Sequence, residues 1–142
     1  MKVGIAEYLK EAASKRSKAD RIEALRSAVR KDIQVFSMLK YMFKTSIIFA
    51  LPPGKPPATL QPKASDLRNV LYAEFRRIKI FMRGEYPQMK PAAREMHFVQ
   101  LLESVDPDDA MLLVAMKDKT SPFRNLTKEL VMEAFPVDTK GW

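Results

Sequence analysis

Apolar residues recur along this chain three and four positions apart, and caps or prolines mark the breaks between the recurring stretches. Ile5, Leu9, Ala12 and Ala13 give the inward face of a first short helix between Val3 and Ser14. Ser17-Lys18-Ala19-Asp20 has the form of a capping box and opens a second helix, with Ile22, Leu25 and Val29 on one side and Lys18, Arg21 and Arg26 opposite. The pattern resumes after a bend from Lys31 to Thr45, with Val35, Phe36, Leu39, Met42 and Phe43 facing in. Ser65 caps a long helix from Asp66 to about Arg83, whose stripe is Leu67, Val70, Leu71, Phe75, Ile78 and Met82. Pro91 suits the first position of a helix reaching Val105.

The last third reads as helix, basic loop, helix. Asp106-Pro107-Asp108-Asp109 is a strong helix start, since Asp caps, proline fits the first turn and acids favour the positive end of the dipole. Met111, Leu112, Val114 and Ala115 then form an apolar face. Lys117 to Asn125 is dense in cations and hydroxyls, and Leu126 to Phe135 is a further helix stopped by Pro136.

The predicted fold is all-α, one domain of about six to seven helices around one core. Residues 1–48 hold the N-terminal helices, 49–64 a proline-rich connector, 65–136 the C-terminal helices and 137–142 a tail. Pro52, Pro53, Gly54, Pro56, Pro57 and Pro62 forbid a persistent helix or central strand in the connector, so a polyproline-like strap across the surface is expected. Ile47 to Leu51 has room for a brief extended stretch.

Charge changes this picture more than composition does. Residues 1–90 carry 19 Lys and Arg against 8 Asp and Glu, whereas residues 91–142 carry 6 against 9, so the net +8 is concentrated in the first part of the chain. Such an imbalance favours a polyanionic partner, because each neutralised phosphate releases counterions; the bland reading is a solvated surface. Cysteine is absent, which excludes disulfides and thiolate metal sites and fits a reducing compartment. The longest apolar run, Ser46 to Leu51, is far too short to span a bilayer, and Met1 to Gly4 lack a signal-peptide core, so a cytoplasmic protein without a membrane partner is expected.

No catalytic constellation is present. His97 has no serine motif or acidic partner that the sequence places beside it, glycine is too scarce for a phosphate-cradling loop, and Asp106, Asp108 and Asp109 lack the ligand alternation of a calcium loop. Lys18-Ala19-Asp20-Arg21 has Arg where covalent nucleotidyltransferases have Gly, and helix capping accounts for it. No enzyme activity, cofactor or metal is expected. Lys40 and Lys44, one turn apart, and the cations Arg68, Arg76, Arg77, Lys79 and Arg83 are positioned to reach phosphate or simply to solvate a helix. A basic loop feeding a helix N-terminus, as Lys117 to Asn125 does, suits a phosphate.

The order of these features resembles the N-terminal DNA-binding domain of phage-type ATP-dependent DNA ligases. A lysine-rich helix start followed by an aromatic segment matches Ser17 to Pro52, with Leu39-Lys40-Tyr41-Met42-Phe43 in the aromatic part. The family's closing pattern matches Ala92 to Leu102, Asp108-Asp109, Met111 to Met116, Ser121 to Thr127 and Leu130 to Pro136. The resemblance implies a helical module gripping duplex DNA, nicked or intact, through minor-groove backbone contacts without reading sequence. By position it makes Thr120, Ser121, Arg124, Asn125 and Thr127, with Lys117, Lys119 and Lys128, the phosphate site. Phe123-Arg124 replaces the smaller turn residues usual in ligases, and no adenylation domain follows Trp142, so nick sealing is not expected. The chain also resembles short proteins of contractile-tailed phages that share a Lys/Asp-capped first helix, the "LPPG-PP" spacer and an ending like Leu126 to Phe135, which implies a phage source but no activity. An accessory role in phage replication, repair or transcription is expected from the charge polarity, the basic helix Arg68 to Arg83 and the turn before Leu126.

The alternative expectation is a protein-binding module, a virion or assembly component or a modifier of a host enzyme. It rests on the acidic last third, the strap, and Tyr86, Phe123 and Trp142 as exposed anchors for a phage or host protein.

Overall fold

The helix boundaries follow their capping residues. In a computed structural model that describes residues 3–56 and 70–142, α1 (Ile5–Ala13) starts at Gly4, whose N–H is taken by the Glu7 carboxylate at 3.1 Å. α2 (Lys18–Lys31) begins where the Ser17 hydroxyl accepts from the Asp20 N–H. The expected bend falls at Asp32. Its extended backbone ends α2 while its carboxylate accepts from Gln34 N–H at 2.9 Å and starts α3 (Ile33–Phe43). One aspartate thus serves two helix ends.

The remaining elements are α4 (Val70–Glu74), a 3-10 helix (Phe75–Phe81), α5 (Pro91–Ser104), α6 (Pro107–Lys117) and α7 (Lys128–Ala134). Asp106 caps α6 through the Asp108 N–H, and the prolines at the starts of α5 and α6 stand in the first turn, as read from the sequence. The expected helix to Arg83 is not one continuous α-helix. After Glu74 it tightens into the 3-10 form, in which every third side chain eclipses. Phe75, Ile78 and Phe81 therefore line up and are all buried, a stripe that an α-helix would have smeared around its circumference. Ser65, Leu67, Arg68, Pro57 and Pro62 lie outside the described residues.

Among the described residues the only pairing of extended backbone is an antiparallel bridge between Phe49 and Met82, within the stretch expected to extend. Helix α1 packs on α2, α3 and α6, α6 also packs on α3 and α5, and α7 packs on α2. One core unites them, with Leu9, Leu25, Met38, Leu39, Leu102 and Met116 almost fully excluded from water. On α6 the inward face is Leu112, Leu113, Ala115 and Met116, whereas Met111 is 47% exposed, so the face expected there is rotated. No helix of the described residues is long and apolar enough to cross a membrane.

Candidate nucleic-acid interface

The candidate cations separate into those already holding the fold together and those left over. With 25 Lys and Arg against 17 Asp and Glu, carboxylates cannot match every cation, and main-chain carbonyls at helix ends take several instead. Arg26 donates to Ala134 O at the end of α7, and Arg21 donates to Lys15 O and Arg16 O after α1. Arg94, 8% exposed, holds Ile80 O, Glu85 O and Tyr86 O together. These orphaned carbonyls carry the negative end of the helix dipole or of a turn, so a cation satisfies both needs.

Lys119 extends the theme across the candidate site. It sits just past α6 in a left-handed conformation (φ 57°), and its Nζ donates to Tyr41 O and, at 2.9 Å, to Lys44 O. The end of α3 and the loop after α6 are thereby fastened together. Burial pushes the Lys119 ammonium down to about 8, with the charge of Lys128 adding to the shift. Lys128 in turn donates to the main-chain oxygen of Trp142 at 2.7 Å, and Thr45 donates to the same oxygen at 3.0 Å. Trp142 is not the exposed anchor expected: it is buried against Phe36 at 5.7 Å between ring centroids.

Several residues assigned to phosphate by position have local duties. Lys117 is buried, and its Nζ donates to Pro52 O at 2.9 Å and to Asp118 Oδ1 at 2.7 Å. Buried and bonded to two partners of the strap, Lys117 is withdrawn from a phosphate on the outer surface and leaves the candidate site. Thr127 caps α7 by accepting from Leu130 N–H, Asn125 donates to Ala13 O at the end of α1, and Ser121 closes a turn with Phe123. The Thr120 hydroxyl makes only a long contact of 3.4 Å to Ala115 O, which accepts from the Thr120 N–H at 2.9 Å. With Thr127 satisfying an N–H, the start of the seven-residue α7 is not an open anion cradle.

Arg124 and the half-buried Lys40 and Lys44 have no carboxylate or carbonyl partner among the described residues, and neither do Arg76 and Lys79. Arg76 and Lys79 are three apart on the 3-10 helix and so share one edge, about 6 Å apart along the axis. That helix is tied to α3 by the stacking of Tyr41 on Phe75 at 5.8 Å. The free cations therefore stand on α3, on the adjoining 3-10 helix and on the loop that Lys119 fastens to α3.

Residues 8–121 match the family described as "Family of unknown function (DUF6433)". The chain belongs to that family. The match spans α2, α3, the strap, the 3-10 helix, α5 and α6, and stops short of Arg124 and α7. No curated protein and no solved structure matches the chain. Among the described residues no group of acids and histidines is placed to hold a metal ion. The most perturbed buried acid, Asp109, lies in the α1–α6 contact. Its Oδ1 accepts from Ala6 N–H at 3.0 Å, and burial pushes its carboxyl up to about 7.

Proposed function

We propose that this protein is a non-catalytic, largely sequence-independent binder of double-stranded DNA, gripping the phosphate backbone with Lys40, Lys44, Arg76, Lys79 and Arg124. The observation that carries this reading is the Lys119 clamp. It fastens the cation-rich end of α3 to the loop bearing Arg124, where the half-buried Lys40 and Lys44 and the exposed Arg124 have no acidic partners among the described residues. A rigid array of unneutralised cations is what backbone recognition requires, because phosphate contacts position a duplex without reading its bases. The resemblance to the ligase DNA-binding domain points the same way, and implies an accessory role in phage DNA replication, repair or transcription. Lys119 and Lys128 act as supports in this scheme: they shape the surface and add field, while their donors go to carbonyls.

Titration of labelled nicked duplex, intact duplex and single strand of one sequence, followed by fluorescence anisotropy, tests the reading. Duplex of unrelated sequences is expected to bind with similar affinity. Equal or better binding of single strand, or a strong sequence preference, would refute it.

A further inference from the structure

Helix α5 is apolar on two sides, and only one of them faces the core. Phe98, Leu101 and Leu102 are buried. On the other side Ala92, Glu95, Met96, Val99 and Glu103 recur at i, i+3, i+4, i+7 and i+11 and form one wall of a groove of about 590 Å³. The opposite wall is the strap from Leu51 to Pro56. That strap is held from beneath: Lys117 donates to Pro52 O, and Asp118, bonded to Lys117, accepts from Gly54 N–H at 3.2 Å. Gly54 supplies the positive φ (85°) that the turn needs. The groove therefore has a rigid proline lip and a helical wall carrying Met96, 62% exposed.

The groove does not share the chain's cationic excess, since Glu95 and Glu103 stand there against Lys55 and Lys117. Lys117 is matched by Asp118. Glu95 and Glu103 have no cationic partner among the described residues, and Lys55 is the one lining cation without a carboxylate. The two glutamates are eight residues apart, about 12 Å along α5. Glu95 is exposed and Glu103 half-buried, so both carboxylates remain open to cations brought by a partner.

We infer that this groove is a docking site for an amphipathic basic helix of a partner protein. The partner's apolar face seats on Met96 and Val99, and its Lys or Arg residues lie along Glu95 and Glu103. Helix-in-groove recognition uses the same i, i+3, i+4 anchors on the incoming segment. The site is separate from the proposed DNA surface, so a failure of either leaves the other standing.

The test uses the full chain and a fluorescein-labelled synthetic peptide with leucines on one helical face and lysines on the other. Its counterpart, with glutamate in place of lysine, serves as the charge control. The lysine peptide is expected to bind and the glutamate peptide not to. Glu95→Lys/Glu103→Lys and, separately, Met96→Asp are each expected to weaken binding about tenfold or more. These positions are not buried, so unchanged circular dichroism and thermal midpoint will accompany the loss. Glu11→Lys/Glu23→Lys, which reverses exposed carboxylates on α1 and α2, is expected to leave affinity unchanged. Absence of peptide binding, or binding indifferent to the α5 variants, overturns the inference. So does a dimer in sedimentation equilibrium that Met96→Asp dissolves, which would give the groove to a second copy.

Discussion

Lys119 donates from its Nζ to the carbonyl of Lys44 at 2.9 Å across a sequence separation of 75 residues. This bond and its companion to Tyr41 O close the C-terminal end of α3 with a side chain from the loop after α6. A helix end that is satisfied by its own next residues moves independently of the rest of the fold; one satisfied from elsewhere does not.

Replacing Lys119 with Met keeps the aliphatic stem and removes the donors. The Tyr41 carbonyl then loses this donor and the Lys44 carbonyl keeps only the Ile47 N–H, and the variant is expected to lose about 1–2 kcal/mol in urea unfolding. Amide exchange is expected to rise at the end of α3 and in residues 118–121 together. Unchanged stability would show that water replaces the clamp without cost.

Asp109 gives a pH dependence with a defined sign. Its carboxyl is held at about 7 in the fold against an ordinary 3.8, chiefly by burial, with Asp106, Asp108 and Glu7 adding and the Ala6 N–H bond opposing. The folded state therefore keeps this proton longer than the unfolded chain. The stability it contributes is full at low pH and falls as pH rises through about 7. Asp109→Asn retains an acceptor for Ala6 and is expected to flatten stability between about pH 4 and 7, with a gain on the order of 3 kcal/mol at the upper end. Lys119 titrates above this window, so it leaves the comparison clean.

Asp118→Ala removes both the counter-charge of Lys117 and the acceptor of Gly54 N–H. A buried ammonium left with only Pro52 O is expected to cost about 2–3 kcal/mol. Protease cleavage near residues 52–56 is expected to accelerate more than cleavage elsewhere. Uniform acceleration would mean that the strap is not held by this pair.

Trp142→Ala opens the contact with Phe36 and is expected to destabilise by about 3 kcal/mol. In the unsubstituted protein, the single tryptophan reports the same packing. Its emission is expected to be blue-shifted when folded and to shift to the red in urea at the global midpoint. An earlier red shift would show that the tail separates from the core first.

Helix positions and caps were legible in the sequence because their causes are local: Ser17, Asp106, Pro91 and Pro107 each act within one turn. The all-α class and most of the inward residues followed from spacing. The 3-10 helix was harder to see, since Phe75, Ile78 and Phe81 fit period 3.0 while Leu71, Phe75 and Ile78 also fit period 3.6. Met111 was misplaced inward ahead of Leu113 and Met116 because α6 is apolar on more than one side, whereas Val114 does pack, half-buried, against the core. Lys117, Lys119 and Lys128 looked like phosphate ligands because the main-chain oxygens that accept their hydrogen bonds, on Pro52, Tyr41, Lys44 and Trp142, are brought to them by long-range packing. Proximity in space, unlike periodicity, leaves no mark on neighbouring letters. The groove had one faint sign, the second apolar side of α5 at Ala92, Met96 and Val99.

The most direct measurement is the salt dependence of duplex affinity for the unsubstituted protein and for Lys40→Ala/Lys44→Ala/Arg124→Ala. If about four phosphates are neutralised, log affinity is expected to fall with log salt at a slope near −3.6, and each lost contact to reduce that slope by about 0.9. These side chains are not buried and hold no carbonyl, so the variant is expected to keep its thermal midpoint. No duplex binding at low salt, or a slope and affinity unchanged in the variant, would contradict a DNA grip at this surface.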